Sequence, residues 1–129
     1  MIAIDTNILI RFLVEDDIQQ TRKAENMLKK YKNDGEIYLS NIVLIEAEWV
    51  LSSVYQFPKN KICDTIERIL DTRQFSFNDR EVLIRANQKY RHKNKDFSDS
   101  LTGELGNRRS IKTYTFDKHL KDDPNFIVL

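Results

Sequence analysis

The residues Met1-Ile2-Ala3-Ile4-Asp5-Thr6-Asn7 decide the fold class of this chain. Ile2, Ala3 and Ile4 form a short apolar run, the pattern of a buried strand. It ends in a carboxylate, a hydroxyl and an amide. In an open α/β sheet, ligands bind beyond the carboxyl ends of the strands. An acid at that point faces the crevice and is held still by the sheet behind it. Asp5 has a second reading of equal weight, as the cap of a helix starting near Ile8. No basic-then-apolar leader precedes the strand, so the expectation is a chain without a secretory signal.

Working outward, Ile8, Leu9, Ile10, Phe12 and Leu13 make a short, very apolar helix, either core or a face that meets a partner. Asp17 and Gln20 form a capping box for a helix reaching about Lys32, which Asn33-Asp34-Gly35 stops. Ile37, Tyr38 and Leu39 are a second strand, and Ser40 caps a helix from Asn41 to about Tyr55. Pro58 opens another, with Ile62, Ile66, Ile69 and Leu70 as its apolar stripe. Phe75 and Phe77 bracket a short strand, and Asn78 with Glu81 frames the next helix start. A helix from about Phe97 to Arg109 leads into the strand Thr113-Tyr114-Thr115, and Phe126-Ile127-Val128 is the last strand. Strands alternating with helices predict a parallel sheet.

The chain has 129 residues, which predicts a single domain over residues 1–129. Its formal net charge of +1 argues against coating nucleic acid or membrane by bulk charge, so any nucleic-acid contact must come from a local patch. Cys63 is the only cysteine, which excludes a disulfide framework and a thiolate zinc site and fits a cytoplasmic protein. No run is long and apolar enough to span a membrane.

Four acids fall at equivalent places. Asp5 and Asp117 follow strands, Glu46 lies in the second turn of the helix after the second strand, and Asp99 lies in the first turn of the helix before the Thr113–Thr115 strand. Carboxylates crowded together resist ionising, and a hard cation such as Mg²⁺ or Mn²⁺ removes that conflict. Asp96 is read mainly as the helix cap and Asp99 mainly as the ligand. Glu48 is read as a surface or pairing residue. His92 and His119 lie in charged, loop-like contexts and are not favoured as catalytic bases. The run Lys89-Tyr90-Arg91-His92-Lys93-Asn94-Lys95 is either a solvated helix end or a contact for an RNA backbone.

Asp5-Thr6-Asn7, Glu46 followed by Trp49-Val50-Leu51, Asp96-Phe97-Ser98-Asp99-Ser100-Leu101 and Thr115-Phe116-Asp117 resemble the PIN-domain ribonucleases. Among these they are most similar to the VapC toxins of toxin–antitoxin pairs. The resemblance spans nearly the whole chain and keeps the family's order and spacing. It implies a three-layer α/β/α sandwich around a mostly parallel, short-stranded sheet, usually a homodimer. It also implies Mg²⁺-dependent (or Mn²⁺-dependent) cleavage of structured RNA, tRNA or rRNA, by activated water. The implied acids are Asp5, Glu46, Asp99 and Asp117, with Asp5 and Asp99 as metal ligands and Thr6, Asn7, Asp96 and Thr115 supporting them. Arg11, Lys89, Arg91, Lys93, Lys95, Arg108 and Arg109 are candidate phosphate contacts. The implied partner is a VapB-like antitoxin in a hetero-oligomer, through which alone operator DNA is contacted. Gly103, Glu104 and Gly106 stand where the family favours small or apolar helix residues, so the helix carrying Asp99 is expected to be loosely held. Glu104 is expected either to add a carboxylate near the site or to face solvent. The alternatives are a phosphoryl-receiver module with an acidic metal pocket and a catalytically weak RNA-binding domain. Asn7, where a dehalogenase-type phosphatase would need a second acid, counts against that class.

Overall fold

The computed structural model describes residues 1–129. Along the chain run β1 (Ile2–Ala3), α1 (Thr6–Leu13), α2 (Ile18–Leu28), β2 (Ile37–Tyr38), α3 (Asn41–Ser53), α4 (Lys59–Leu70) and β3 (Phe75–Ser76). They are followed by α5 (Arg80–His92), α6 (Phe97–Arg108), β4 (Thr113–Thr115), a 3₁₀ turn (Lys118–Leu120) and β5 (Phe126–Val128). Every strand pair is parallel, as an α/β chain requires. The strands form two small sheets rather than one: β1-β2-β3, with Ile2 opposite Ile37 and Ile37 opposite Phe75, and β4-β5, with Thr113 opposite Phe126.

Strands this short carry few ladder hydrogen bonds, so burial holds the fold. Leu9 and Ile10 of α1, Ile37, Leu44 and Leu51 of α3, Ile66 of α4, Leu83 of α5, and Phe97 and Leu101 of α6 belong to one apolar cluster, Ile37 lying in β2. Each such side chain, fully buried, stabilises the folded state by about 1.5–3 kcal/mol. Ile8 and Leu13 also pack against this cluster, leaving Phe12 as the exposed large apolar residue of α1. The first helix is therefore core in the main, and the broad partner-facing surface its composition allowed shrinks to Phe12.

The caps fall largely where composition put them. Asp17 accepts from Gln20 N–H at 3.0 Å and Ser40 from Val43 N–H at 3.4 Å. Two boundaries differ. α2 ends at Leu28 rather than near Lys32, because Lys30 N–H and Tyr31 N–H turn back to Met27 and Leu28 carbonyls in 3₁₀ fashion. Asp79, not Asn78, caps α5, accepting from Val82 N–H at 3.2 Å, while Asn78 accepts from the Tyr38 hydroxyl.

The largest correction concerns α6. Its glycines do not loosen it; they let it approach the second sheet. A Cβ on Gly103 would stand 2.5 Å from Cε2 of the Phe126 ring, and one on Gly106 would stand 2.9 Å from Thr113 Oγ1. Glu104 neither joins the acids nor faces water. It is buried at 5% exposure, accepts from Asn125 Nδ2 at 2.8 Å and lies 3.9 Å from Arg85. Asn125 N–H in turn donates to buried Asp123, which pairs with Lys89 of α5 at 3.0 Å. This polar chain ties α5, α6 and the approach to β5 together.

Gly103→Ala is expected to destabilise the protein by about 1–3 kcal/mol, the usual penalty of overpacking, read from urea unfolding. The loss should shrink in a Phe126→Leu background, where the opposing ring is gone; an equal loss in both backgrounds would refute the close-approach account.

Candidate active site

Each candidate acid stands where an element begins or ends. Asp5 lies two residues past the last paired residue of β1 and caps α1, with Oδ1 accepting from Ile8 N–H at 3.0 Å. The two readings of Asp5 are thus compatible, because Oδ2 carries no hydrogen bond and stays available. Thr6 begins α1, and its hydroxyl donates to Glu46 Oε1 on α3 at 3.2 Å. Thr6 therefore orients Glu46. Asn7 makes no side-chain hydrogen bond and lines a cleft with Asp5, Arg11, Gln20 and Lys23, so the expected carboxylate-orienting bond from Asn7 is not present.

On the other side, α5 and α6 are joined by a turn in which Asn94 takes the left-handed region (φ 53°), tolerated by its short polar side chain. The turn delivers Asp96 and Asp99 to a cleft of about 230 Å³ lined by Asn94, Lys95, Asp96, Asp99, Asp117, His119 and Leu120. Asp96 holds the cap position of α6, but its side chain makes no capping hydrogen bond; it lines the acid cleft instead, a correction to its reading as cap. Thr115 Oγ1 accepts from Asp117 N–H at 3.0 Å, and Asp117 Oδ1 accepts from His119 N–H at 2.9 Å. Thr115 thus shapes the turn that presents Asp117, and the Asx-turn reading of Asp117 holds together with its place in the cleft.

The acids accordingly form two groups, Asp5 with Thr6 and Glu46 on one side and Asp96 with Asp99 and Asp117 on the other. The elements that carry them touch, α1 against α3 and α3 against α6. The cleft holding Asp99 does not include Asp5 or Glu46. No three His, Cys, Asp or Glu side chains converge into a ready-made cation cage.

Charge crowding is visible at Asp99. A helix N-terminus favours an anion by about 0.3–1 kcal/mol, yet burial, reinforced by Asp96 and Asp117, pushes the Asp99 carboxyl up from its ordinary range. Glu48, set aside in the sequence, joins this neighbourhood. Half-buried on α3, it accepts from the Tyr90 hydroxyl at 3.1 Å, and burial and then Asp96 push its carboxyl up. Burial first, then Glu48, raises the Tyr90 phenol in turn. The signal in the sequence was an acid inside an apolar helix, which does not name its partner on another element. His119 also lies at the cleft, although its sequence context gave no reason to place it there.

The candidate phosphate contacts divide sharply. Arg11 bonds Asp16, Gln20 and Tyr55; Arg91 pairs with Asp64 at 2.8 Å and with Glu67; Arg108 pairs with Asp79 at 2.9 Å; Lys89 pairs with Asp123. These four are structural ties rather than free cations. Lys93 and Arg109 are exposed and make no ion pair, and Lys95 donates only to the neutral His119 carbonyl.

Oxygen donors of this kind fit Mg²⁺ or Mn²⁺, which take one or two carboxylates and keep several waters. The Asp99 and Asp96 carboxyls interact with each other and accept no hydrogen bond from any other group, and Asp5, Glu46 and Asp117 each keep one carboxylate oxygen free. No helix is long and apolar enough to cross a membrane. Comparison with known proteins gives one family: the PIN domain matches residues 2–123. PIN domains are generally nucleases that use divalent metal ions. No curated protein and no solved structure matches the chain.

Because the fold raises the Asp99 pKa, its contribution to stability is fully present below the ordinary aspartate range and is lost as pH rises through the raised value. Asp99→Asn is therefore expected to melt higher than the wild type at pH 7 without divalent ions, with the gap closing as pH falls toward about 4. Mg²⁺ should raise the melting temperature of the wild type more than that of the variant; equal responses in calorimetry would refute cation binding at Asp99.

Proposed function

The chain belongs to the PIN domain family, and on that premise we propose that it is a Mg²⁺- or Mn²⁺-dependent endoribonuclease of the VapC type. In this reading it is the toxin of a toxin–antitoxin pair, restrained by a VapB-like antitoxin, and it cleaves tRNA or rRNA in the cytoplasm as a homodimer. The observation that carries the nuclease reading is the gathering of Asp96, Asp99 and Asp117 in one cleft with Asp99 held above its ordinary pKa. Such a site is costly to keep charged and gains from a cation.

Asp99 and Asp5 are the residues that would hold the metal ion. When bound, it supplies countercharge and lowers the pKa of water beside the phosphate. Glu46, steadied by the Thr6 hydroxyl, takes the proton of the attacking water. Asp117, fixed by the His119 and Thr115 bonds, orients that water. Lys95, at the rim of the same cleft, offers positive charge to a phosphate oxygen. Water adds to phosphorus as the bond to the 3′ oxygen breaks, and the departing 3′ oxygen takes a proton from solvent and leaves as a hydroxyl. The products carry a 5′-phosphate and a 3′-hydroxyl.

A phosphoryl-receiver module would need a lysine beside its acids at the end of a late strand. Lys112 instead donates to the Pro124 carbonyl, which disfavours that alternative.

Purified protein is expected to cut RNA with Mg²⁺ and to stop on adding EDTA. Asp5→Asn keeps a good helix cap, so its loss of activity reports on the metal site rather than on folding. It and Asp99→Asn should each lower the cleavage rate by at least about 100-fold, and Thr6→Val by about 10–100-fold, the range for residues that orient a site carboxylate. Cleavage that persists in EDTA, or survives Asp99→Asn, would overturn the reading. Growth arrest on expression, relieved by a co-expressed antitoxin, tests the toxin assignment separately.

A further inference from the structure

The outer face of the second sheet is apolar and uncovered. Phe126 of β5 packs on Gly103 of α6 and Thr113 of β4 on Gly106, so these residues mark the face turned to that helix. Successive side chains of a strand point to opposite faces. Tyr114 and its register partner Ile127 therefore lie on the face turned away. Leu129 N–H donates to the Thr115 carbonyl, which extends the ladder and sets Leu129 beside Phe116. Tyr114 is 64% exposed, Phe116 80% and Leu129 68%, and Ile127 is exposed as well. Scattered exposed apolar side chains need no explanation. Side chains of this size gathered on one face of two paired strands form a patch on the order of 400 Å², the size that marks an interaction site.

That face ends at an open edge. The second sheet holds β4 and β5 alone, so β5 is paired on one side and free on the other. Its ladder uses the Asn125 carbonyl and the Leu129 N–H. Val128, one residue out of phase, turns its amide and carbonyl away from β4, and they find no backbone partner elsewhere. Such an edge is a template for another strand. Cations stand at both ends of the face. Arg109 and Lys112 precede β4, Lys118 and Lys121 follow Phe116, all are exposed, and none forms an ion pair. Lys112 donates only to the neutral Pro124 carbonyl. The acids of this stretch that lack a basic partner are turned elsewhere: Asp117 lines the acid cleft, and Asp122 lines a separate cleft with Lys89, Lys93 and Lys95.

We infer that this face docks an extended acidic segment of a partner protein, which adds a third strand beside β5. The segment's backbone pairs with the Val128 edge. Every second side chain is apolar and extends the face of Tyr114, Phe116, Ile127 and Leu129, and carboxylates near its two ends meet Lys112 and Lys118. Strand addition draws affinity from main-chain hydrogen bonds and specificity from alternate side chains. The stretch from Lys112 to Lys118 covers about 20 Å when extended, so a segment of about nine residues spans both cationic ends. The surface is separate from the acid cleft, and the inference stands without the nuclease reading. Two other occupants match the face less closely. A second copy of the chain would bring the lysines of two protomers together, a like-charge juxtaposition that disfavours self-association. RNA would stack on Tyr114 and Phe116 but leave Ile127, Leu129 and the edge amides unused.

The test titrates labelled peptides of about nine residues with the full chain, read by fluorescence anisotropy. The probe alternates valine and threonine and carries glutamates at both ends. One control has lysine in place of each glutamate, and another has its central backbone amides N-methylated. Tyr114→Thr keeps a good strand former and should weaken the glutamate probe by about 10- to 100-fold, the loss expected for one buried aromatic side chain. Lys112→Gln with Lys118→Gln should weaken it by about 2- to 30-fold, the range for two exposed ion pairs, and flatten its salt dependence. These lysines touch no core side chain, so the pair of substitutions keeps the test open should Tyr114→Thr not fold. The N-methylated control should bind about 10-fold more weakly than the probe, the loss of two backbone hydrogen bonds. The inference is overturned if the glutamate probe does not bind, if it binds Tyr114→Thr as it binds the wild type, or if either control binds as tightly. It is also overturned if Tyr114→Thr abolishes binding of a single-stranded RNA, or dissociates a dimer in sedimentation, while peptide affinity is unchanged; those results assign the face to RNA or to a second copy. Each of these outcomes leaves Mg²⁺-dependent cleavage by the wild type untouched, and loss of that cleavage leaves the docking surface standing.

Discussion

Like charge held at short range is what the rest of this structure answers to. Asp96 and Asp99 at the start of α6 and Asp117 beyond β4 share one cleft, and the neutral form of Asp99 is favoured there against the pull of its own helix N-terminus. Such an arrangement needs rigid support from behind. Phe97 and Leu101 supply it on the buried face of α6, the Asn94 turn fixes where that helix begins, and the Thr115 and His119 bonds fix the loop that offers Asp117.

The second support is polar. Lys89, Asp123, Asn125, Glu104 and Arg85 form a chain that runs between α5, α6 and the approach to β5. Removing one member would strand a buried charge, which costs more than the pair contributes. The basic run before α6 is therefore divided in function. Lys89 and Arg91 hold the scaffold, while Lys93 and Lys95 keep their charge for solvent or a ligand.

The legible part of the sequence was the local part. Apolar runs gave the strands, and Asp17 and Ser40 announced their helices through side chains that bond three residues on. The places of Asp5, Asp99 and Asp117 at element ends were also readable, because a strand or helix boundary is a local feature. What lies across the chain was not. Glu48 meets Tyr90, Arg108 meets Asp79 and Glu104 meets Asn125 only once distant elements pack. The division into two sheets was hidden for the same reason, since strand partners are chosen by tertiary packing. Helix propensity misled at Gly103 and Gly106, where it counts the entropy of a lone helix and ignores the neighbour that requires a missing side chain.

That contact couples two positions in the history of the sequence as well as in space. With the Phe126 ring seated where a methyl on residue 103 would go, neither site drifts freely. An alanine at 103 becomes tolerable only after the residue at 126 has shrunk, and the order of those two changes matters. Descendants that keep the large ring are confined to glycine in α6, so the spacing between that helix and the second sheet is inherited as a pair.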